Sequence, residues 1–146
     1  MGRIIHRILE LHYSGLATPI EAYPKYLNDE FPTFKEQQDV WGAVALCQRY
    51  VNYFAKKDNF KILGIEKELV VPYTTPNGVT VYLHAIMDLI GLTEKDELFV
   101  MDHKSSARNV WNKEMVWFDA QIAFYMCVLM QLDFEPNIGV INQIST

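Results

Sequence analysis

The sequence predicts an α/β fold in which helices precede three consecutive strands, a further helix and a last strand. Apolar residues recur at helical spacing up to residue 54, and the period becomes that of strands between residues 60 and 106. An almost wholly apolar segment then separates these strands from the last one. Strands joined by short turns form an antiparallel meander, and the crossover helix returns the last strand to the same sheet. We therefore expect a central mixed sheet flanked by helices.

The N-terminal part is predicted to be helical. From Gly2 to Tyr13 the apolar residues share one arc of a helical wheel. The proline-containing segment from Ser14 to Pro32 is predicted to be irregular or only briefly helical. Thr33 and Glu36 form a T-x-x-E capping box, which is typical of a helix start, and helical spacing continues to Phe54.

The remaining elements follow from the change of period. The first strand is predicted at "FKILGIEKELVVPY", and the second, after a turn at "TTPNG", at "VTVYLHAIMDLIGL". A further turn at "TEKDE" leads to the third strand, which is predicted at "LFVMDHKSS". "MVWFDAQIAFYMCVLMQL" is apolar on nearly every side, which is typical of a helix packed deep against a sheet. Pro136 is expected to end this helix, and "NIGVINQIS" predicts the last strand.

Composition narrows the class of protein. The 146 residues fit one domain over residues 1–146, and a hydrophobic content of 50% argues against disorder. The net charge is −5, whereas nonspecific DNA binders are usually basic. Any DNA contact must therefore come from a local patch of basic residues or from bound metal ions. Cys47 and Cys127 form neither a C-x-x-C pair nor a disulfide framework, which favours a reducing, cytoplasmic location.

Targeting and membrane segments are not indicated. Charged residues interrupt the apolar residues of "MGRIIHRILELHY" too often for a signal-peptide core. The long apolar segment near the C-terminus carries Asp119, Gln121 and Gln131, so it fits a buried helix better than a membrane span.

Acidic and basic residues meet in the predicted hairpin of the second and third strands. If the strands pair through the turn after Leu92, Asp88 lies opposite or next to Asp102. Because side chains alternate along a strand, Lys104 shares the face of Asp102, and His84 shares that of Asp88. The sequence thus predicts two carboxylates side by side with an ammonium group close by.

Two opposed carboxylates need a positively charged partner, because like charges on neighbouring strands repel each other and burying a carboxylate costs free energy. A divalent cation such as Mg²⁺ satisfies both requirements and leaves positions for water and a substrate phosphate. The alternative is an exposed ion pair of Asp102 and Lys104 at a strand end, with Asp88 as an ordinary charge near a turn.

At this point the chain resembles the PD-(D/E)xK nuclease superfamily, and in particular its RecB-type exonuclease domains. The resemblance covers almost the whole chain, and it implies the restriction-endonuclease-like αβββαβ core. Its motifs appear in order as Gly2 to His6, Glu66 or Glu68, Asp88, the D-x-K of residues 102–104, and Gln121 to Tyr125. Ala85 departs from the pattern, since the family often has glycine three residues before the strand-two aspartate. The two cysteines exclude the four-cysteine iron–sulfur subgroup.

The resemblance also implies roles. Asp88 and Asp102 would hold Mg²⁺ or Mn²⁺, with His6 and the backbone carbonyl of His103 as further ligands and His84 as the alternative to His6. The ion would make a bound water more acidic and neutralise charge on the scissile phosphate. Lys104 would orient or deprotonate that water. The remaining catalytic candidates are Glu68, Gln121 and Tyr125, of which the last two would face the same cleft. The sequence does not choose between Glu68 and Glu66, although Glu68 is nearer the centre of its strand.

DNA would be the substrate, and a small set of basic residues near the cleft would have to bind it. The basic residues nearest the expected cleft, apart from Lys104, are Arg3, Arg7, Arg108 and Lys113, and Trp111 is available for base stacking. The expected function is a metal-dependent exonuclease of recombination, repair or phage DNA processing, with a helicase or recombinase as an expected partner. The alternatives are a noncatalytic DNA- or partner-binding module that retains the fold, and a metal-dependent hydrolase of small phosphorylated molecules.

Overall fold

A computed structural model describes residues 1–54, 59–106 and 119–145. The helical segments are α1 (Gly2–Tyr13), α2 (Pro19–Ala22), a π-helical turn (Tyr23–Leu27), α3 (Asn28–Glu30), α4 (Phe34–Phe54) and α5 (Ala120–Met130). The strands are β1 (Lys61–Thr74), β2 (Thr80–Leu92), β3 (Leu98–Ser106) and β4 (Ile138–Ser145). They form one four-stranded sheet in the order β1-β2-β3-β4. The predicted α/β fold with a mixed sheet is confirmed, as is the prediction of only brief helices between α1 and α4.

The described residues fall into two compact units. The helical unit contains the residues up to Asn59. It also contains the end of β3, which starts at Lys104, and the end of β4, which starts at Gln143. The sheet unit contains β1, β2, the rest of β3 and β4, and α5. The single domain over residues 1–146 stays a prediction. Among the described helices, none combines the length and apolar character that crossing a membrane requires.

The helical unit is held together by the apolar face of α1. Its isoleucines and leucines pack with the buried side of α4 and with Ile144 of β4. Five of these side chains are fully buried or nearly so, namely Ile4, Ile5, Ile8, Leu9 and Leu11, and each contributes ~1.5–3 kcal/mol by leaving water. The predicted capping box before α4 is confirmed, because Glu36 N–H donates to Thr33 Oγ1 and Thr33 N–H donates to Glu36 Oε2, both at 3.3 Å.

The sheet unit has the predicted hairpin register. The paired residues of β2 and β3 run from Leu92 with Leu98 to Leu89 with Met101. This register sets Asp88 opposite Asp102, one step further along, as the sequence predicted.

The last helix ends before the predicted segment does, and residues 115–118 of that segment lie outside the described residues. Asp119 has an extended backbone, and its side chain accepts from Ile122 N–H at 2.8 Å, so α5 begins at Ala120. The helix ends before Pro136, because Asp133 at φ 59° closes it in a left-handed conformation. Phe134 N–H donates to Leu129 O and Asp133 N–H to Met130 O, both at 3.2 Å, which is the Schellman pattern. The cause of termination is this cap and not the proline.

Candidate active site

Asp88 and Asp102 are buried carboxylates of the sheet unit, with exposures of 7% and 2%. The backbone N–H of His103 donates to Asp88 Oδ2 at 2.6 Å. The side-chain amide of Gln121 donates to Asp102 Oδ1 at 2.8 Å. Burial of charged groups at this level requires such compensation. The alternative of an exposed Asp102 at a strand end is therefore excluded.

Glu66 is the third carboxylate of this group. One of its oxygens lies within 4.8 Å of an oxygen of Asp88. The flanking pairs, Ile65 with Leu89 and Lys67 with Met87, set Glu66 opposite Asp88. Its backbone is left-handed, with φ 45°, which costs a residue with a side chain ~1–2 kcal/mol. Strain of this kind concentrates at functional sites.

Glu68, the other candidate glutamate of β1, has a different neighbour. Its Oε1 lies 2.8 Å from Nε2 of His84, and both side chains are largely exposed. The structure therefore brings Glu66 rather than Glu68 next to Asp88. His84, the alternative metal ligand, is engaged with Glu68.

The predicted shared face of His84 and Asp88 does not form. Met87 and Ile90 both pack in the apolar cluster that contains the buried residues of α5, although strict alternation would put residues three apart on opposite faces. The alternation of β2 is therefore interrupted at Asp88, opposite the left-handed Glu66. This interruption turns Asp88 to the side of Asp102 and away from that of His84.

Helix α5 brings Gln121 and Tyr125 to the carboxylates, one helical turn apart. The Gln121 amide that donates to Asp102 also donates to the Tyr125 hydroxyl. Burial raises the pKa of Tyr125, and the charges of Asp102, Asp88 and Glu66 raise it further, with partial compensation from the Gln121 hydrogen bond. The hydroxyl therefore stays protonated at neutral pH and can donate as well as accept.

His103 projects to the other face of β3. Its imidazole is buried, with 4% exposure, and Nδ1 lies 2.7 Å from the side-chain nitrogen of Asn142 on β4. Sequence reasoning missed Asn142, because the register of β4 cannot be read when a long crossover precedes the strand. Coordination by the His103 carbonyl stays a prediction.

Lys104 lies two residues after Asp102 on β3, so its side chain leaves the same side of the strand. It is half-buried, as is His6 on α1 of the helical unit. Their roles as water-activating lysine and metal ligand stay predictions.

The predicted DNA contacts Arg7 and Arg3 are engaged with acidic residues of the helical unit. The Arg7 guanidinium donates to both oxygens of Glu30, at 2.7 Å and 3.0 Å, and to Glu10 at 2.7 Å. The hydrogen bonds to Glu30, followed by those to Glu10, raise the pKa of Arg7 above its ordinary value. Arg3 lies 3.4 Å from Glu36 and above the Phe31 ring. Arg108, Trp111 and Lys113 lie outside the described residues.

The donor set fits a divalent cation. Glu66, Asp88 and Asp102 come from three adjacent strands, and the negative charges of all three act on the one hydroxyl of Tyr125. Carboxylate oxygens are the ligands that Mg²⁺ and Mn²⁺ take in proteins. A cation among them would offset the repulsion that their burial creates.

Comparison with known proteins agrees with this chemistry. No curated protein matches the sequence. Residues 1–143, almost the whole chain, match the family model of the PD-(D/E)XK nuclease superfamily. The buried carboxylates, the D-x-K of β3 and the four-stranded sheet are the features that the sequence resemblance implied. The chain belongs to the PD-(D/E)XK nuclease superfamily.

Proposed function

We propose that this protein is a RecB-type, metal-dependent deoxyribonuclease, an exonuclease acting in recombination, repair or phage DNA processing inside the cell. The observation that supports the proposal is the proximity of the Glu66 and Asp88 carboxylates on neighbouring strands, with Asp102 opposite Asp88 in the register of the next strand. Two of these carboxylates are buried, and the charge of all three raises the pKa of Tyr125. Perturbed titratable groups of this kind mark functional sites.

The three carboxylates would hold Mg²⁺ or Mn²⁺, with Glu66 rather than Glu68 as the glutamate of β1. His6 and the backbone carbonyl of His103 are proposed as further ligands, and an imidazole among the ligands favours Mn²⁺. A bound divalent ion supplies Lewis-acid polarisation of the phosphate and a more acidic water.

The chain's own residues orient the reactants. Lys104, on the same side of β3 as Asp102, orients or deprotonates the attacking water and stabilises negative charge on the phosphate. Gln121 fixes the Asp102 carboxylate through its 2.8 Å hydrogen bond. The protonated Tyr125 hydroxyl, held by the same amide, donates to water or to the DNA backbone.

DNA is bound by a local set of cations, since the net charge of the chain is −5. Lys104 would supply positive charge beside Asp102, and an ion held by the carboxylates would add to it. Arg3, Arg108 and Lys113 are proposed as backbone contacts and Trp111 as a stacking residue. Arg7 is omitted from this set, because its guanidinium is engaged with Glu30 and Glu10.

The experiment that tests the proposal is digestion of linear, circular and single-stranded DNA in Mg²⁺ or Mn²⁺, with EDTA as the metal-free condition. Wild type is compared with Asp102→Ala and Lys104→Ala. We expect cleavage of linear DNA in metal alone, and a loss of at least ~100-fold in each variant.

Three other results would change the assignment. Metal-dependent cleavage that survives both substitutions would place the chemistry elsewhere. DNA binding without cleavage would indicate a noncatalytic module that retains the fold. Hydrolysis of nucleotides but not of DNA would indicate a hydrolase of small phosphorylated molecules.

A further inference from the structure

We propose that Asn142 of β4 is a positioning residue that sets the placement of Asp88 and Asp102 through His103. The inference rests on the proposed function, since it concerns the geometry of the same carboxylates. It gives a role to the central residue of the D-x-K segment and to a strand that contributes no residue to the carboxylate group.

His103 is connected on two sides. Its backbone N–H donates to Asp88 Oδ2 at 2.6 Å, so its position along β3 determines where the Asp88 carboxylate is held. Its imidazole, on the opposite side of the strand from Asp102, receives the side-chain N–H of Asn142 at Nδ1, at 2.7 Å. An acceptor at Nδ1 puts the ring proton on Nε2, so the hydrogen bond also selects the tautomer.

We expect the connection to be stiff, because His103 is only 4% exposed and protein interiors are close-packed. Asp102 is the preceding residue of the same strand, so a shift of His103 moves both Asp102 and the N–H that holds Asp88. Displacements of about 1 Å in a catalytic constellation cost on the order of 100-fold in rate. Loss of the Asn142 hydrogen bond would therefore displace the Asp88 and Asp102 carboxylates, although Asn142 itself does not contact DNA.

A purely structural role for Asn142 would affect stability and leave the ion and the reaction unchanged. Two substitutions separate these cases. Asn142→Leu keeps the shape of the side chain and removes the donor. Asn142→Asp also keeps the shape and accepts a hydrogen bond from Nδ1–H, which restores the connection with its direction reversed. Asn142→Ser, too short to reach the ring, is the second disruptive variant in case the leucine variant does not fold.

The experiment measures Mn²⁺ affinity by calorimetry, and kcat and KM for DNA cleavage, in folded full-length proteins. Asn142→Leu and Asn142→Ser should weaken Mn²⁺ binding ~10-fold or more and lower kcat by a similar factor. KM should stay unchanged. Asn142→Asp should lie close to wild type. The control is Asn52→Leu, which removes an amide hydrogen bond of 2.8 Å to Gln48 at the exposed side of α4.

The outcomes separate the two proposals. If wild type binds Mn²⁺ without cleaving DNA, the nuclease assignment fails while the affinities still test the positioning role. Wild-type affinity and kcat in the folded leucine or serine variants would overturn that role, as would an Asn142→Asp variant no better than Asn142→Leu. Absence of Mn²⁺ binding by the wild type would overturn both.

Discussion

Oδ1 of Asp102 accepts a hydrogen bond of 2.8 Å from the side-chain amide of Gln121. The same amide donates to the Tyr125 hydroxyl, so one polar side chain of α5 organises two groups of the carboxylate site. The buried residues of the helix also pack in the apolar cluster of the sheet unit. The hydrogen bond therefore depends on the packing of α5 as much as on the polar residues.

Gln121→Glu is predicted to reduce DNA cleavage ~10–100-fold, because it puts a carboxylate where Asp102 now receives an N–H. Steady-state cleavage of linear DNA measures the effect. Gln131→Glu, at the exposed end of the same helix, adds the same charge and should have little effect. Equal activity of wild type and Gln121→Glu would contradict this role of the amide.

The two glutamates of β1 give a matched comparison. Glu66→Gln is predicted to lower Mn²⁺ affinity and cleavage at least ~10-fold, because it removes a charge beside Asp88. Glu68→Gln alters only the exposed contact with His84 and should change both by less than about twofold. Calorimetry and cleavage assays check the pair. A larger loss in Glu68→Gln than in Glu66→Gln would identify Glu68 as the functional glutamate of β1.

Most of the fold was predictable from the sequence, since periodicity and turn residues gave the strands and the hairpin register. The register set Asp88 opposite Asp102. The choice between Glu66 and Glu68 was not predictable, because the left-handed backbone at Glu66 interrupts the alternation on which face assignments depend. Asn142 was also missed, since strand pairing after a crossover is decided by tertiary packing and not by local pattern.

Substitution of Gly91 in β2 is predicted to destabilise the protein. A Cβ there would lie 2.6 Å from the Phe99 ring and 2.9 Å from the carbonyl oxygen of Lys61. Gly91→Ala should therefore lower the free energy of unfolding by ~1–3 kcal/mol, measured by urea denaturation. The control is Gly42→Ala in α4, where the nearest atom is the flexible end of Met1 and alanine gains up to ~1 kcal/mol of helix propensity. Equal stability of both variants would contradict the crowding at Gly91.

Because the thiol of Cys47 is buried, the free energy of unfolding is predicted to fall at high pH. Burial raises its pKa from 9.0 to about 12. Above pH 9 the unfolded chain releases this proton while the folded chain keeps it, so the free energy of unfolding falls as the pH rises. The slope attributable to this group approaches ~1.4 kcal/mol per pH unit between the two pKa values.

Urea denaturation between pH 8 and about pH 11 measures this slope, and Cys47→Ala should make it shallower. Thiol labelling gives an independent check, since exposed Cys127 should react quickly and buried Cys47 only on unfolding. Rapid labelling of Cys47 in the folded protein would contradict its burial.

The central claim is that Asp88, together with Glu66 and Asp102, holds a divalent ion. Calorimetric titration of Mn²⁺ into wild type, Asp88→Asn and Asp96→Asn tests it most directly. Asp96 lies in the turn of the same hairpin at φ 59°, a conformation that asparagine tolerates, so its variant is a matched control. We predict that Asp88→Asn weakens Mn²⁺ binding by at least ~10-fold while Asp96→Asn leaves it unchanged. Undiminished affinity in a folded Asp88→Asn variant would contradict the account.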